Sequence, residues 1–328
     1  MLVKSYQRFF LEKLLFDDCS LHFVMIKATI IGVGNLGSCI AYEIAVRDFV
    51  DRIVLVDVYH ELAEGNALDI AQAIAFRNDT EVLAGSYEEA SDSNVIVVTA
   101  GKPRTPDMKS RMELLEANTK IIKSVALELK KLGGASVIIT LTNPMDVMNY
   151  VMWKTTAMDK TKILGSGGML DSARLRTVLA SKYGVSSLDV DAYVIGEHGE
   201  NQVPVFSQVR LGNRKKTISE VDRVEVMNKL RDSALQVISK KGATIYAPAC
   251  NTANMVEAII KDEKKLAVCS CVLNGEYGLQ DVSIGVPVIL GRNGIEKVVE
   301  WKLDDNEKTL FLKGAHQLKE TIKSIFGL

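Results

Sequence analysis

Gly32-Val33-Gly34-Asn35-Leu36-Gly37 decides the fold. The six residues close a short β-branched run, 28–33, and open a helical pattern over 35–46. Each glycine of a G-x-G-x-x-G between strand and helix has a task. The first permits a tight turn, the second lets a bound group approach the backbone, and the third packs the helix on the strand. The helix N-terminus offers free N–H groups and the positive end of a dipole, which suits a pyrophosphate. Alone the hexapeptide is a weak signal, and its weight comes from Asp57, about 20 residues beyond Gly37 at the end of the next apolar run. A carboxylate there accepts hydrogen bonds from an adenosine ribose and repels a 2′-phosphate, so the spacing points to NAD over NADP. The competing view of Asp57 is an ordinary turn residue. Thr99-Ala100-Gly101 ends a later strand-like run, where small residues let a dinucleotide lie across the carboxyl edge of a sheet.

Outward from this turn the chain alternates β-branched runs with longer helical patterns, the mark of a parallel sheet with crossovers. The runs 28–33, 52–56, 80–84, 95–99, 136–140 and 162–165 are predicted strands, with helices near 35–46, 59–76, 111–131 and 144–156 between them. Nearly continuous Val, Ile and Leu in these strands fits a sheet covered on both faces. Past Gly165 the pattern changes. Helices are expected at 171–183, 219–241, 247–260 and 306–326, with extended segments at 191–195, 203–210, 265–273, 287–290 and 295–301. The expected architecture is α/β, a Rossmann-type doubly wound parallel sheet over 26–166, followed by an α+β substrate domain over 167–328. A tight hinge near Gly165–Gly168 divides them.

Composition narrows the function classes. At 328 residues and 47% hydrophobic the chain can bury a large core. Forty basic residues nearly cancel 41 acidic ones, so no footprint for nucleic acid or an anionic membrane exists. No apolar run reaches the ~18 residues of a membrane span. Cys19, Cys39, Cys250, Cys269 and Cys271 are odd in number and lack zinc-type spacing, which suits buried free thiols in a reducing cytoplasm. Residues 1–25 form an extension whose apolar pattern is broken by Lys4, Arg8, Glu12, Lys13, Asp17 and Asp18, unlike a secretory or transit signal. It is expected to be an appended amphipathic segment without a catalytic role, with a regulatory or assembly arm as the alternative.

Asp171-Ser172-Ala173-Arg174 and Ile195-Gly196-Glu197-His198-Gly199 supply a carboxylate, a guanidinium and an imidazole. His198 can pass a proton to or from a substrate oxygen, and Asp171 can fix its tautomer and favour its charged form. Arg174 can grip a carboxylate through two parallel hydrogen bonds. A buried Asp–His pair beside a structural Arg is the plain alternative. Between the strand ending at Thr99 and the next helix lies Lys102-Pro103-Arg104-Thr105-Pro106-Asp107-Met108-Lys109-Ser110-Arg111, a polar, non-helical flap with two prolines and four basic residues. By itself it reads as a solvated loop. Asn118 and Thr142-Asn143-Pro144 complete the set.

With these motifs the chain resembles the lactate/malate dehydrogenase family from about Ile26 to the C-terminus, and within it the malate dehydrogenases that are lactate-dehydrogenase-like in sequence. The resemblance implies His198 as acid/base with Asp171 its partner, Arg174 on the substrate carboxylate, and Arg111 polarising the reacting carbonyl. It implies Asn143 contacting substrate beside the nicotinamide. Cofactor contacts are implied at Gly32, Gly34, Asn35, Leu36, Gly37, Asp57, Thr99, Ala100, Gly101, Asn118, Leu141 and Asn143. It further implies NAD as cofactor, no metal, and a homodimer or homotetramer. The 59–76 helix is a plausible contact face, unless it is buried on the monomer's own sheet.

Substrate choice rests on Arg104. In the family an Arg at that position reads a second carboxylate and selects malate, and Gln is typical of lactate enzymes. Lactate would leave Arg104 closed in without an anionic partner. An unpaired buried charge costs roughly 2–5 kcal/mol, which at about 1.4 kcal/mol per tenfold is on the order of 30- to several-thousand-fold. Two features depart from the family pattern. The loop is one residue longer between its arginines, so an insertion before Arg104 would put Thr105 in the reading position. Thr244, in Gly242-Ala243-Thr244, stands where many malate enzymes carry Ala. The expected reaction is reversible oxidation of (S)-malate to oxaloacetate. The alternatives are a lactate or broad 2-hydroxy acid dehydrogenase, an NAD-dependent family 4 glycosidase, which would need a metal-binding Cys that does not accompany His198, and a non-catalytic NAD sensor.

Overall fold

β1 (Lys27–Ile31) is buried at every position, which a strand tolerates only when both faces of its sheet are covered. The computed structural model describes residues 25–103, 111–133 and 135–327. The extension before Met25 therefore lies outside the described residues. After β1 come α1 (Asn35–Arg47), β2 (Arg52–Val56), α2 (His60–Ile74), β3 (Glu81–Ala84), β4 (Val95–Val98), α3 (Arg111–Lys131), β5 (Val137–Thr140), α4 (Met145–Thr156) and β6 (Ile163–Gly165). The second half runs α5 (Gly168–Tyr183), β7 (Val190–Asp191), β8 (Val194–Gly196), β9 (Gln202–Pro204), β10 (Arg210–Leu211) and β11 (Arg214–Lys215). Then follow α6 (Glu220–Lys241), α7 (Tyr246–Ile260), β12 (Lys265–Asn274), β13 (Gln280–Gly291), β14 (Gly294–Val298) and α8 (Asp305–Phe326).

The strands β3-β2-β1-β4-β5-β6 pair in parallel, the order of a doubly wound sheet, so the Rossmann expectation is met. At its centre Ile30 stands between Leu55 and Val97. Each such isoleucine, fully buried, contributes about 1.5–3 kcal/mol relative to exposure. The sheet does not stop at β6. Gly165 pairs antiparallel with Ser270, and β12, β13, β8 and β9 continue it, with β14 on β13. One apolar core consequently runs from Ile30 and Ile53 through Met148 and Tyr150 to Val286 and Phe311. A second cluster, including Leu175, Val194, Phe206, Val226 and Leu230, fills the space under α5 and α6. The small sheet β11-β10-β7 borders it.

Side chains far apart in sequence fix the halves together. Arg47, in the last turn of α1, donates to Asn254 (2.6 Å) and Glu257 (3.2 Å) on α7. α8 begins with a reciprocal cap, in which Asp304 accepts from the Glu307 N–H and Glu307 from the Asp304 N–H. Glu307 is 3% exposed and also takes the N–H and hydroxyl of Ser207. That contact explains a departure from the expected continuous extended segment over 203–210: a 3₁₀ turn at Phe206–Gln208 interrupts it. β13 is far longer than the expected 287–290, because Gln280, Ser283 and Gly285 dilute its apolar pattern while the β12 and β8 partners hold the ladder.

α2 buries Ala63, Ala67, Ile70 and Ile74 against its own sheet. Its other face leaves Leu62 and Leu68 exposed, with Tyr59 and Phe76 exposed at the ends.

Gly37 gives the fold's most direct test. A Cβ there would stand 1.9 Å from the Gly32 carbonyl oxygen, a backbone atom with no freedom to withdraw. Gly37→Ala should force α1 away from β1 at a cost of about 1–3 kcal/mol, read as a lower urea midpoint at unchanged slope, and should weaken NADH binding. An unchanged midpoint would show that α1 and the turn relax freely.

Candidate active site

The carboxyl ends of β1, β4 and β5 lie side by side, and the residues that follow them build the first half of the site. Gly32 has φ +90°, a conformation that L side chains rarely adopt, and a Cβ on it would meet the Ala100 backbone N at 2.5 Å. The Thr99 hydroxyl donates to the Gly32 carbonyl at 2.5 Å, clamping the turn onto the end of β4. Asp57 braces it from β2, its Oδ2 accepting from the Val33 N–H (2.8 Å) and its Oδ1 from Tyr59 (3.0 Å). Each carboxylate oxygen keeps capacity for a further donor such as a ribose hydroxyl. A Cβ on Gly34 would meet nothing within 4 Å, and α1 has no side-chain cap on its first N–H groups. Open space above an uncapped helix N-terminus fits a pyrophosphate. Asn35 and Leu36 are the first residues of that helix.

Asn118 joins Lys102 to the segment after β5. The Asn118 side chain, 1% exposed, accepts from the Lys102 N–H (2.7 Å) and donates to the carbonyls of Lys102 (3.2 Å) and Asn143 (2.7 Å). Its amide hydrogens are spent on tying the root of the flap to the β5 end. Thr142 donates to the Ala100 carbonyl at 2.7 Å, drawing the Leu141–Asn143 turn against Thr99–Gly101. Arg104 lies outside the described residues, and Arg111 is the first residue of α3, with a side chain outside them.

The second half of the site comes from α5 and the turn after β8. Asp171, in the first turn of α5, is 3% exposed. Its Oδ2 lies 2.7 Å from His198 Nδ1, and its Oδ1 accepts from Arg174 Nη1 at 3.0 Å. The three residues singled out in the sequence therefore form one connected group. With Nδ1 donating to Asp171, Nε2 of the ring is left for proton exchange. Burial by itself would depress the imidazole pKa. The charge and hydrogen bond of Asp171 outweigh it, helped by Asp146 and opposed by Arg174, and hold the ring above its ordinary value. Arg174 uses one of its five N–H donors on Asp171 and keeps a face for an anion. The Thr244 hydroxyl, in the loop between α6 and α7, is shut from solvent with no hydrogen-bond partner among the described residues.

Sequence inspection missed a buried polar group behind His198. The His198 N–H donates at 2.7 Å to Oδ2 of Asp146, in the first turn of α4. Asp146 Oδ1 takes the Ser270 hydroxyl at 2.5 Å, and Ser270, Ser283 and Asn149 continue the chain of hydrogen bonds. Asp146 stands three residues beyond Asn143, but its partners come from β12 and the turn after β8, so no local spacing marks it. Among the described residues no group of His, Cys, Asp and Glu is arranged to hold a metal, and no helix is long and apolar enough to cross a membrane.

Known proteins match this arrangement along its length. The family model described as lactate/malate dehydrogenase, NAD binding domain, matches residues 26–165, and the one described as lactate/malate dehydrogenase, alpha/beta C-terminal domain, matches 168–328. Malate dehydrogenase of Haloferax volcanii is 40% identical over 304 residues, covering 92% of this chain and all of that protein. L-lactate dehydrogenase 2 of Lactococcus lactis subsp. lactis is 35% identical over 308 residues, 91% of this chain and 98% of the relative. The crystal structure of Cryptosporidium parvum malate dehydrogenase superposes with a TM-score of 0.88 at 34% identity, covering 93% of this chain and 100% of that one. The chain belongs to the lactate/malate dehydrogenase family of NAD-binding oxidoreductases.

Proposed function

We propose that the protein is an NAD-dependent malate dehydrogenase, interconverting (S)-malate and oxaloacetate with His198 as acid/base. The observation that carries the chemistry is the Asp171 carboxylate shared between His198 and Arg174. Bound NAD supplies or accepts a hydride at its nicotinamide C4. The turn Gly32–Gly37, with Asn35 and Leu36 on its helix, holds the pyrophosphate, and Asp57 holds the ribose. Thr99, Ala100, Gly101, Leu141, Asn143 and Asn118 shape the rest of the cofactor's bed.

For reduction, His198 Nε2 gives its proton to the carbonyl oxygen while Asp171 keeps Nδ1 protonated. Arg174 holds the C1 carboxylate, and Arg111 stabilises charge developing on the reacting oxygen. Such a donor is typically worth roughly 10²–10³ in rate. Arg104 reads the C4 carboxylate. Malate is supported by Arg104 and by the 40–41% identity to the malate dehydrogenases of Haloferax volcanii and Natronomonas pharaonis, against 35% to the L-lactate dehydrogenase 2 of Lactococcus lactis. A broader 2-hydroxy acid activity is favoured by one feature, the unpartnered Thr244 hydroxyl, which accommodates either substrate. We further propose a cytoplasmic homodimer or homotetramer, consistent with free Cys39, Cys250, Cys269 and Cys271 and with the exposed Leu62 and Leu68 of α2. NADH oxidation with oxaloacetate against pyruvate at matched concentrations tests the assignment; faster turnover of pyruvate would replace it with the lactate reading.

His198→Asn should fold and bind NADH, followed by nucleotide fluorescence, yet lose about 10²–10⁴-fold in turnover because the proton donor is gone. Near wild-type oxaloacetate reduction would sink the acid/base role. Asp57→Gly removes both the ribose contacts and the repulsion of a 2′-phosphate. It should cost NADH roughly ten- to a hundredfold in kcat/KM and narrow the preference over NADPH. The ratio is the quantity to read, because the variant also frees the Val33 N–H. Equal use of both cofactors by the wild type would show that Asp57 does not face the ribose. Arg104→Gln should shift the oxaloacetate-to-pyruvate ratio of kcat/KM toward pyruvate by roughly 30-fold or more. Arg111→Gln should instead slow both substrates, which share the carbonyl it polarises. An unchanged ratio in Arg104→Gln would make Arg104 a solvated residue.

A further inference from the structure

His198 is held at two points, and only one of them is its ring. The second is its main-chain N–H, which donates to Asp146 Oδ2 at 2.7 Å. Asp146 is 2% exposed, and among the described residues no Lys or Arg pairs with it. Its remaining support is neutral. The Ser270 hydroxyl donates to Oδ1, Ser283 lies 2.9 Å from Ser270, and Asn149 donates to Ser283 at 2.9 Å. A buried carboxylate without a cation is a costly choice for anchoring one backbone amide. The carbonyl oxygen of an asparagine would accept the same hydrogen bond without a charge. The group that a charge there can act on is the imidazole of the residue whose backbone it holds.

We propose that Asp146 is a positioning residue for His198, pinning the backbone of the β8 turn and using its buried charge to keep the imidazole protonated. The proposal deepens the acid/base reading of His198 and rests on it. The charges facing the ring are Asp171 and Arg174 from α5 and Asp146 from α4, with Glu197 next to it on its own turn. Asp171 and Asp146 favour the imidazolium and Arg174 opposes it. Burial pushes the Asp146 carboxyl up to about 6, against the pull of Ser270, the His198 N–H and the imidazole, so it is mostly anionic above neutral pH. There it supports the charged ring in the pH range where His198 gives up its proton.

The test compares wild type, Asp146→Asn and Asp146→Ala in the full chain by two readouts. The first is the NMR titration of ¹³C-labelled histidine rings, of which the chain has four, with the His198 signal assigned by its loss in His198→Asn. The second is the pH profile of kcat/KM in both directions. Loss of the negative charge lowers the pKa of the imidazole, so in Asp146→Asn the His198 signal should titrate at lower pH than in wild type. Reduction needs the protonated ring, so at pH 8.5 it should fall about tenfold more than at pH 6, while oxidation gains at the acidic end. Asp146→Ala should show the same shift and an added loss at every pH, because the backbone anchor goes too. An unmoved His198 midpoint in Asp146→Asn, with both limbs of the profile lowered equally, would overturn the proposal and leave Asp146 a structural residue. Should Asp146→Asn not fold, Ser270→Ala removes one of the donors that keep Asp146 ionised. It should then move the His198 midpoint down, by less, and no movement would also overturn the proposal. The NMR arm needs no turnover. Activity retained in His198→Asn would defeat the acid/base reading, while the titration would still report whether Asp146 and His198 are coupled.

Discussion

Asp171 gives one oxygen to the His198 ring and the other to Arg174, and almost none of it reaches water. A carboxylate in that position constrains everything around it. It must arrive at the first turn of a helix, and α5 starts only three residues after β6 ends. His198 must face it from the turn after β8, and β8 is placed by the pairing of Gly196 with Gly285 on β13. β13 in turn is held by β12, which joins the parallel sheet through Ser270 and Gly165. The antiparallel extension of the sheet is thus what carries the imidazole to the carboxylate. A strand slipped by one residue would turn its side chains to the other face and separate the pair.

The same register builds the polar group behind the ring. Ser270 and Ser283 sit inside β12 and β13, both fully buried, where an apolar residue would pack more cheaply. Their hydroxyls instead turn toward Asp146 and Asn149 on α4, the helix that follows the Asn143 turn. The β5–α4 connection therefore serves both halves of the site. The Asn143 carbonyl accepts from Asn118, and Asp146, three residues on, meets the backbone of His198.

Much of this was legible in the sequence, for physical reasons that differ from residue to residue. The Gly32–Gly37 turn and Asp57 belong to one βαβ unit, so their relation is local and spacing reveals it. The parallel strands announce themselves because burial on both faces demands unbroken apolar runs. The link between Asp171 and His198 was readable only because each sits in a recognisable motif. Asp146, Ser270, Ser283 and Asn149 have no such motif. They come from α4, β12 and β13 and meet only because those elements stack, and single polar residues in such elements read as surface positions. The length of β13 is hidden in the sequence for the same reason, since its buried Ser283 and Gly285 look like interruptions until Ser270, Asn149 and Gly196 are seen beside them.

The proposed function assigns chemistry and substrate choice to different kinds of structure in this molecule. The imidazole, its carboxylate and the Gly32–Gly37 turn are fixed by strand register and by close backbone contact, where small displacements are opposed by a packed core. Arg104, on which the malate proposal rests, instead falls in sequence between β4 and α3. One charged side chain meeting or missing a partner is worth roughly 2–5 kcal/mol, enough to choose between a dicarboxylate and a monocarboxylate without touching the sheet. Malate and lactate dehydrogenases can therefore share one architecture. On the proposed reading the proton-transfer group is held in place by many long-range contacts, and the discrimination between acids rests on one residue between two elements.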